Sequence, residues 1–392
     1  MVAAELLEFA PAVEVKTRIA HVGSMQRRTV KQGGYRRDAL DGHDGFNPSK
    51  GHIGCSLFAA ILPIALEQNA SGYDVLSALL MGYEFGARAA MAQHGTVCDY
   101  HTSGSWGAVT CAAAAARLMG LDRDRTRHAL GIAEYHGPRS QMMRCIDDPT
   151  MVKDGSGWGA MAGVSAAKLA LKGFTGAPAI TVEAAPQYWA DLGERWYMLE
   201  QYFKPYPVCR WAQAPIEAAL ALRKNYLIHP DTITSVTITT FHESVRLATQ
   251  RPKTTEQAQY STSFPTALAL IHGTIRAQDL ADCALDHPEV LRLSNATTMQ
   301  EDAYCNDAFP LKRYAKVDIH LTDGRRLISD WHEPKWDHTA PPTPEDISQK
   351  YHGFADDAFR KQKADQIEHL VNRLDTGGFS DLCALICHPI AP

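Results

Sequence analysis

The sequence predicts a mainly α protein with an inserted α+β domain, and three observations lead to that prediction. Alanine- and glycine-rich segments with helical spacing fill the chain from about residue 54 to 200. A β-branched, alternating run, TITSVTITTF, follows in the next part of the chain. Helical periodicity returns after the proline-rich stretch HEPKWDHTAPPTPEDISQKY. We therefore predict a large all-α helical domain over residues 1–207, an α+β domain over residues 208–335, and C-terminal helices over residues 336–392 that rejoin the helical domain.

The helical domain is predicted from segments that share small residues and clear boundaries. The segment SGYDVLSALLMGYEFGARAAMAQ begins at Ser71, a good N-cap, and places Val75, Leu79, Leu80 and Phe85 at helical spacing. The segments GAVTCAAAAARLMGL and GAMAGVSAAKLALKGF have the same character, and each ends at a turn that carries glycine. So many alanines and glycines predict helices that pack closely against one another.

The α+β domain is predicted from a change of pattern after FKPYPVCRWAQ. The segment APIEAALALRKNY is a further helix, and TITSVTITTF is a strand. Two alternating runs flank Asp323-Gly324 in YAKVDIHLTDGRRLISDW, a strong signal for a β-hairpin. A helix from about Phe264 to His272 and the segment RAQDLADCAL complete the domain. Beyond it, Thr343 before Pro344 is a predicted N-cap for a C-terminal pair of helices.

Composition excludes several classes of protein. The chain of 392 residues is 45% hydrophobic and 21% charged, with a formal net charge of −5 and no basic blocks, which argues against a nucleic-acid partner. Its 9 cysteines are scattered without a CxxC pair, so neither a disulfide framework nor a zinc site is indicated. The N-terminus lacks the basic start of a signal peptide, and no stretch approaches the roughly 18 apolar residues of a membrane span. We expect a cytoplasmic protein.

Four polar clusters stand out because each lies in a loop that precedes a helix and places charged or titratable groups beside glycine, serine or proline. The clusters are DALDGHDGFNPSKGHIG, CDYHTSGSWGAV, MVKDGSGWGA and FKPYPVCRWAQ, and they supply Asp41, His43, Asp44, Lys50, His52, Tyr100, His101, Ser103, Lys153, Lys204 and Arg210. The lysine of the third cluster precedes Gly-Ser-Gly, which is either a simple surface turn or a glycine loop that brings backbone N–H groups to an anion.

Two kinds of site fit these clusters. Histidine and carboxylate ligands would suit zinc or iron, but helical metal-binding spacings such as H-E-x-x-H are absent and the neighbouring cations would repel a divalent ion. Lys153, Lys204 and Arg210 instead indicate an anion. Removal of a proton alpha to a carboxylate needs fixed positive groups for the developing dianion and a base beside them. We therefore predict a metal-free site for a small carboxylate.

The chain resembles the MmgE/PrpD family, which includes 2-methylcitrate dehydratase, cis-aconitate decarboxylase and iminodisuccinate epimerase. The resemblance covers about residues 38 to 390 and rests on several blocks in one order. These blocks are DGHDGF, KGHIGCSLFAAILPIAL, DYHTSGSWGAVTCAAAAARLMGL, MVKDGSGWGAMAGVSAAKLALKGFTGA, FKPYPVCRW and QAQYSTSFPTALAL.

The resemblance implies an all-α domain with an inserted α+β lid domain, a metal-free site between them that needs no cofactor, and usually a homodimer. It also implies catalytic or binding roles for the positions matching Asp41, Asp44, His52, His101, Lys153 and Lys204. We predict that Asp41 and His101 transfer protons, with Tyr100 as a further proton-transfer candidate. Lys153 and Lys204 clamp carboxylates, and Asp44 and His52 orient the other groups. Further substrate-binding candidates are Ser103, Arg210 and Gln213.

Three departures from the family pattern bear on the activity. The opening helices before the acidic motif look short, and the stretch RRTVKQGGYRRDAL is unlike the usual pattern. Gln213 stands where many members have histidine, and glutamine cannot act as an acid or base. Phe264 stands where tyrosine is often found. The leading expectation is a dehydratase like 2-methylcitrate dehydratase, acting on a di- or tricarboxylate. An epimerase of an iminodisuccinate-like diacid, a cis-aconitate-type decarboxylase and a non-catalytic carboxylate-binding protein are the alternatives.

Overall fold

A computed structural model describes residues 39–387 of the chain. The interpretation of the N-terminus as lacking a signal peptide concerns residues outside the described part. The same holds for most of the unusual stretch RRTVKQGGYRRDAL and for residues 388–392.

The first half of the described chain is helical, as predicted. Its helices are α1 (Gly54–Glu67), α2 (Gly72–Thr96), α3 (Ser103–Leu118), α4 (Arg123–His136), α5 (Met142–Asp147), α6 (Ser156–Leu171) and α7 (Ile180–Glu183). The predicted N-cap Ser71 is confirmed, because its side chain accepts a hydrogen bond from Asp74 N and the Asp74 carboxylate bonds back to Ser71 N. Val75 and Leu79 are fully buried, whereas Leu80 is 40% exposed and lies on the solvent face of α2.

Close helix packing is confirmed at the contact between α3 and α6. A Cβ atom on Gly163 of α6 would lie 2.3 Å from the carbonyl oxygen of Ala108 on α3. A Cβ atom on Gly159 would lie 2.3 Å from the carbonyl oxygen of Gly104, at the first turn of α3. Only residues without a side chain allow this approach. The glycines therefore bring together the starts of two helices that carry predicted site residues.

The α+β part contains α8 (Gln213–Tyr226), β3 (Ile233–Thr240), α9 (His242–Val245), α10 (Thr255–Gln259), α11 (Ser263–His272), α12 (Pro288–Asn295), β4 (Thr297–Glu301), α13 (Ala303–Ala308), β5 (Ala315–Leu321) and β6 (Arg326–Ile328). The sheet order is β4-β3-β5-β6. The predicted strand and hairpin are confirmed, while β4, which pairs parallel to β3, was not predicted. The segment RAQDLADCAL forms two short 3₁₀ helices, Ala277–Leu280 and Asp282–Ala284.

The C-terminal region up to residue 387, where the described part of the chain ends, contains three helices, where the sequence predicted two. They are α14 (Pro344–Phe359), α15 (Lys361–Val371) and α16 (Phe379–Cys387). The helical run breaks at Arg360, whose φ is 65°, and again at Gly377 and Gly378, whose φ values are positive. The predicted cap at Thr343 is confirmed, with Asp346 completing a capping box. Buried residues of these helices share one hydrophobic core with α1 and α2.

A short two-stranded ladder joins the first and fourth polar loops. Its strands are β1 (Gly45–Phe46) and β2 (Gln201–Tyr202), which pair antiparallel. The remaining 3₁₀ helices are Asn47–Ser49, Pro186–Tyr188, Tyr197–Glu200, Arg210–Ala212 and Pro230–Thr232. Because Lys204 lies two residues after the end of β2, the ladder brings it near the loop that holds Asp41 and Asp44.

The described residues contain no helix whose length and hydropathy would let it cross a bilayer. The eight cysteines whose thiols are described are all free, so they form no disulfide framework.

Candidate active site

The four polar loops predicted from the sequence meet in one buried region. Each lies just before a helix, namely α1, α3, α6 or α8. The first two loops are joined by a hydrogen bond from His52 N to Ser103 Oγ, 2.9 Å long. The second and third are joined by one from Gly104 N to Asp154 O, 3.0 Å long. The geometry therefore brings together residues that are more than 150 positions apart in the sequence.

Asp41 and Lys204 form a buried ion pair that joins the first and fourth loops. The Lys204 ammonium lies 2.9 Å from Asp41 Oδ1, and the two residues are 0% and 1% exposed. His43 Nε2 lies 3.8 Å from the same carboxylate oxygen. The second oxygen, Asp41 Oδ2, is buried and has no hydrogen-bond partner among the described residues. A buried carboxylate oxygen without a partner is costly, so it is a candidate contact for a substrate.

His52 lies beside this pair and is held in one protonation state. Its ring packs edge-on against the ring of His43, with 4.1 Å between centroids. Burial, followed by the positive charge of Lys204, lowers the pKa of His52 well below its usual value. Its Nδ1 contacts the carbonyl oxygen of Asp44 and must therefore carry the hydrogen. His52 is a neutral imidazole whose Nε2 is the acceptor nitrogen.

Lys153 is buried, so its loop is not a simple surface turn. The residue is 4% exposed and lies in left-handed backbone conformation with φ of 40°, and Gly155 with φ of 69° then caps α6. Its ammonium donates to Gln259 Oε1 and lies 5.5 Å from the ring centroid of Tyr260. Gln259 Nε2 in turn donates to Ala39 O at 2.9 Å. Gln259 thus links Lys153 to the segment that precedes Asp41.

His101 and Tyr100 lie at the edge of the cluster. His101 is 7% exposed, and its Nδ1 lies 2.9 Å from Asp99 O. Among the described residues, no hydrogen bond joins His101 to Asp41, so the predicted proton-transfer pair is not a single hydrogen-bonded unit. Tyr100 donates its hydroxyl hydrogen to Lys50 O, and burial raises its pKa well above the usual range. Tyr100 is therefore a neutral donor and cannot act as a base.

Three other residues singled out from the sequence have contacts within the protein. Arg210 Nη1 donates to the carbonyl oxygens of Phe203 and Lys335 at 3.0 and 2.8 Å, and Nη2 lies 3.2 Å from Asp337 Oδ2. Gln213 Nε2 donates to two carbonyl oxygens of the loop that follows Lys204, each at 3.1 Å. Phe264 is fully buried in the hydrophobic core of the α+β part.

Sequence reasoning missed three residues of this region. Asp154 is 2% exposed, and its Oδ2 accepts from Ser103 Oγ. Gln259 accepts a hydrogen bond from the Lys153 ammonium. Arg313 is 3% exposed, and its guanidinium lies 5.7 Å from the ring centroid of Tyr202. After burial and the charge of Lys204, the charge of Arg313 also lowers the pKa of His52. Asp154 could have been found as the acidic neighbour of Lys153, and Gln259 from its place in the block QAQYS. Arg313 lies in no motif that signals a site.

Metal ligands are not grouped in this region. Within residues 39–387, no cluster of three or more histidine, cysteine, aspartate and glutamate side chains is arranged to hold a metal ion. The buried ammonium groups instead suit a ligand that carries carboxylates.

Two family models match successive parts of the chain. Residues 33–189 match the MmgE/PrpD N-terminal domain, and residues 206–376 match the MmgE/PrpD C-terminal domain. The chain belongs to the MmgE/PrpD family. The predicted family and its mainly α fold with an α+β part are therefore confirmed.

Several MmgE/PrpD relatives are similar to most of the chain. The cis-aconitate decarboxylase of Aspergillus terreus is 26% identical over 363 residues, which cover 82% of this chain and 72% of the relative. The cis-aconitate decarboxylase-like protein oryM of Aspergillus oryzae is 25% identical, covering 81% of this chain and 71% of the relative. The cis-aconitate decarboxylase of Homo sapiens is 24% identical, covering 82% and 70%.

Proposed function

We propose that this chain is a lyase that works without a metal and decarboxylates a small unsaturated tricarboxylate of the cis-aconitate type. The observation that carries the proposal is the meeting of Lys153 and Lys204 beside Asp41 and His52 in a buried region. The decarboxylase relatives, each similar over about four fifths of this chain, support the choice of reaction.

The chemistry explains why these groups suit decarboxylation. A β,γ-unsaturated carboxylate loses CO₂ when the electron pair of the breaking C–C bond moves through the double bond towards a second carboxylate. One proton then adds to carbon. Buried ammonium groups stabilise the charge that develops on the second carboxylate, because they act in a region with little water. Lys153 and Lys204 would have this role, and His101 would supply the proton.

Dehydration, the leading expectation from the sequence, requires two groups that transfer protons. Loss of water requires a base for the alpha proton and an acid for the leaving hydroxide. Gln213 has no proton to transfer at neutral pH, and it is held by carbonyl oxygens of its own loop. Dehydration of a 2-methylcitrate-like acid is the second candidate, because His52 is neutral and presents Nε2 as an acceptor nitrogen beside Asp41 and Lys204.

The test is incubation with cis-aconitate in deuterium oxide, followed by NMR of the products and measurement of released CO₂. Decarboxylation releases CO₂ and incorporates one deuterium into the product. A parallel incubation with 2-methylcitrate tests dehydration through the absorbance of the new alkene. The matched control for Lys153→Ala is Lys168→Ala. Lys168 lies on the helix that follows Lys153, but it pairs with Glu67 near the surface.

Other outcomes select other functions. Turnover of 2-methylcitrate without release of CO₂ from cis-aconitate would make the protein a dehydratase. Deuterium exchange into an iminodisuccinate-like diacid without net conversion would make it an epimerase. Binding of these acids without exchange or conversion would make it a non-catalytic carboxylate-binding protein and would overturn the proposal.

A further inference from the structure

A second buried carboxylate, Asp154, lies in the candidate active site beside Lys153 and Ser103. It follows Lys153, and its backbone carbonyl accepts from Gly104 N at 3.0 Å. Its Oδ2 accepts from Ser103 Oγ, and the same Ser103 oxygen accepts from His52 N at 2.9 Å. Asp154 therefore has a fixed position relative to His52 and Lys153.

The two oxygens of the Asp154 carboxylate differ in their hydrogen bonding. Oδ2 has the Ser103 hydroxyl as its donor, whereas Oδ1 is buried and has no hydrogen-bond partner among the described residues. A proton on the carboxyl group would therefore lie on Oδ1, since Oδ2 already accepts a hydrogen bond. A protonated Oδ1 is a donor, and a carboxylate ligand supplies the acceptor that this position lacks.

The charges around Asp154 favour such a protonation when an anion binds. Asp41 has an ammonium partner at 2.9 Å, whereas the side-chain donor to Asp154 is a neutral hydroxyl. Burial, followed by the nearby negative charge of Asp41, raises the pKa of Asp154 to about 6, while the hydrogen bond from Ser103 and the charge of Lys204 oppose the increase. Within the described part of the chain, other titratable groups near it include Tyr100, Cys209 and Tyr260. Each has a raised pKa and is neutral at physiological pH.

We propose that the site binds its carboxylate substrate together with one proton, which Asp154 carries on Oδ1 and uses to donate a hydrogen bond to the substrate. This inference rests on the proposed function for the class of ligand. The reason is electrostatic, since a third negative charge beside Asp41 and Asp154 is accommodated when one carboxylate becomes neutral. Protonation of Asp154 also removes the buried acceptor that lacks a donor.

The test is calorimetric titration of the whole protein with cis-aconitate from pH 5.5 to 8.5, in buffers of different ionisation enthalpy. The wild type should take up close to one proton per ligand at pH 8, and its affinity should fall about tenfold per pH unit above pH 6.5. Asp154→Asn imitates the protonated carboxyl group, so it should bind without proton uptake and without this pH dependence. The matched control is Asp148→Asn, because Asp148 is an exposed carboxylate six positions earlier, and it should behave as the wild type.

Ser103→Ala separates this role from a merely structural one. Loss of the hydroxyl removes the donor that favours the ionised carboxylate, so the break in the pH dependence should move to higher pH. Equal proton uptake by the wild type and Asp154→Asn, or binding by the wild type without proton uptake, would overturn the inference. An unfolded Asp154→Asn would leave the proton uptake of the wild type and the shift in Ser103→Ala as the deciding results.

Absence of binding has a different meaning, since failure of the wild type to bind cis-aconitate at any pH counts against the proposed function. The inference then depends on the infrared carbonyl band of a protonated carboxyl group in the protein without ligand. A band that titrates near pH 6 and disappears in Asp154→Asn would support Asp154 as the proton carrier. Its absence from the wild type would overturn that role.

Discussion

The loops before α1 and α6 each bury one carboxylate, but they compensate its charge in different ways. Asp41 in the first loop pairs with the Lys204 ammonium at 2.9 Å. Asp154 in the third loop accepts from the Ser103 hydroxyl, and its pKa rises to about 6. Because both residues are almost completely buried, exposure does not explain the difference. The two carboxylates therefore differ in their nearest partner, which is an ammonium group for Asp41 and a neutral hydroxyl for Asp154.

The two buried lysines of the site also differ in the charge of their hydrogen-bond partners. Lys204 is committed to Asp41, so its charge is already largely balanced within the protein. Lys153 donates to Gln259, a neutral amide, so its charge is less balanced by that contact. On this comparison Lys204 has the larger part in stability, because it compensates a buried carboxylate.

The largest expected effect comes from breaking the charge compensation of Asp41. Lys204→Met should lower the free energy of unfolding at pH 7 by about 3–5 kcal/mol, because it leaves a buried carboxylate without its ammonium partner. Urea unfolding followed by circular dichroism measures the loss. Lys168→Met breaks a pair near the surface and should cost less than about 1 kcal/mol. Equal losses in the two variants would show that burial of the Asp41 pair has no energetic consequence.

The second prediction concerns the pH dependence of the unfolding free energy, which the raised pKa of Asp154 should change. The pKa of Asp154 is raised in the folded protein, so its contribution to stability is fully present below the unfolded pKa of about 4 and is lost as pH rises through about 6. The wild type should therefore lose up to about 3 kcal/mol relative to Asp154→Asn between pH 4 and 7. Urea unfolding of both proteins at several pH values measures the difference. A difference in unfolding free energy that stays constant from pH 4 to 7 would contradict the raised pKa of Asp154.

The third prediction concerns Lys153, which donates to the neutral side-chain amide of Gln259. Lys153→Ala should lower kcat for the acid that the protein converts by about a hundredfold or more, because it removes positive charge from the developing anion. Its unfolding free energy should change less than that of Lys204→Met. The measurement is kcat and KM together with urea unfolding. Near-normal turnover would remove Lys153 from the proposed chemistry.

The smallest effect expected is that of Gln213, a neutral residue near the fourth loop. Gln213→Ala should lower the unfolding free energy by about 1–3 kcal/mol, because Tyr206 O and Val208 O lose the side-chain donor, although Tyr206 O keeps its bond from Val208 N. It should raise KM more than it lowers kcat, since the loop that it fixes carries Lys204. Gln213→His should leave stability nearly unchanged if the ring can donate to one of these carbonyl groups. A loss of kcat as deep as that of Lys153→Ala would show that Gln213 acts directly in the reaction.

The sequence by itself determined the type and order of most elements. Helical spacing, the caps at Ser71 and Thr343, and the turn at Asp323-Gly324 are local signals, and the structure follows each of them. Those signals depend on contacts between residues a few positions apart, which a sequence displays directly. The break between α14 and α15 has no such local signal, because it depends on the left-handed backbone of Arg360, a residue without a strong turn preference.

The tertiary structure alone decided how the polar groups are paired. Four loops could be chosen from the sequence, but the pairing of Asp41 with Lys204 joins positions 163 apart, and that of Lys153 with Gln259 joins positions 106 apart. The sequence also could not separate Arg210, which is held by carbonyl oxygens of its own protein, from the lysines of the site. Charge state and role depend on burial and on the nearest partner, and both arise only when distant segments pack together.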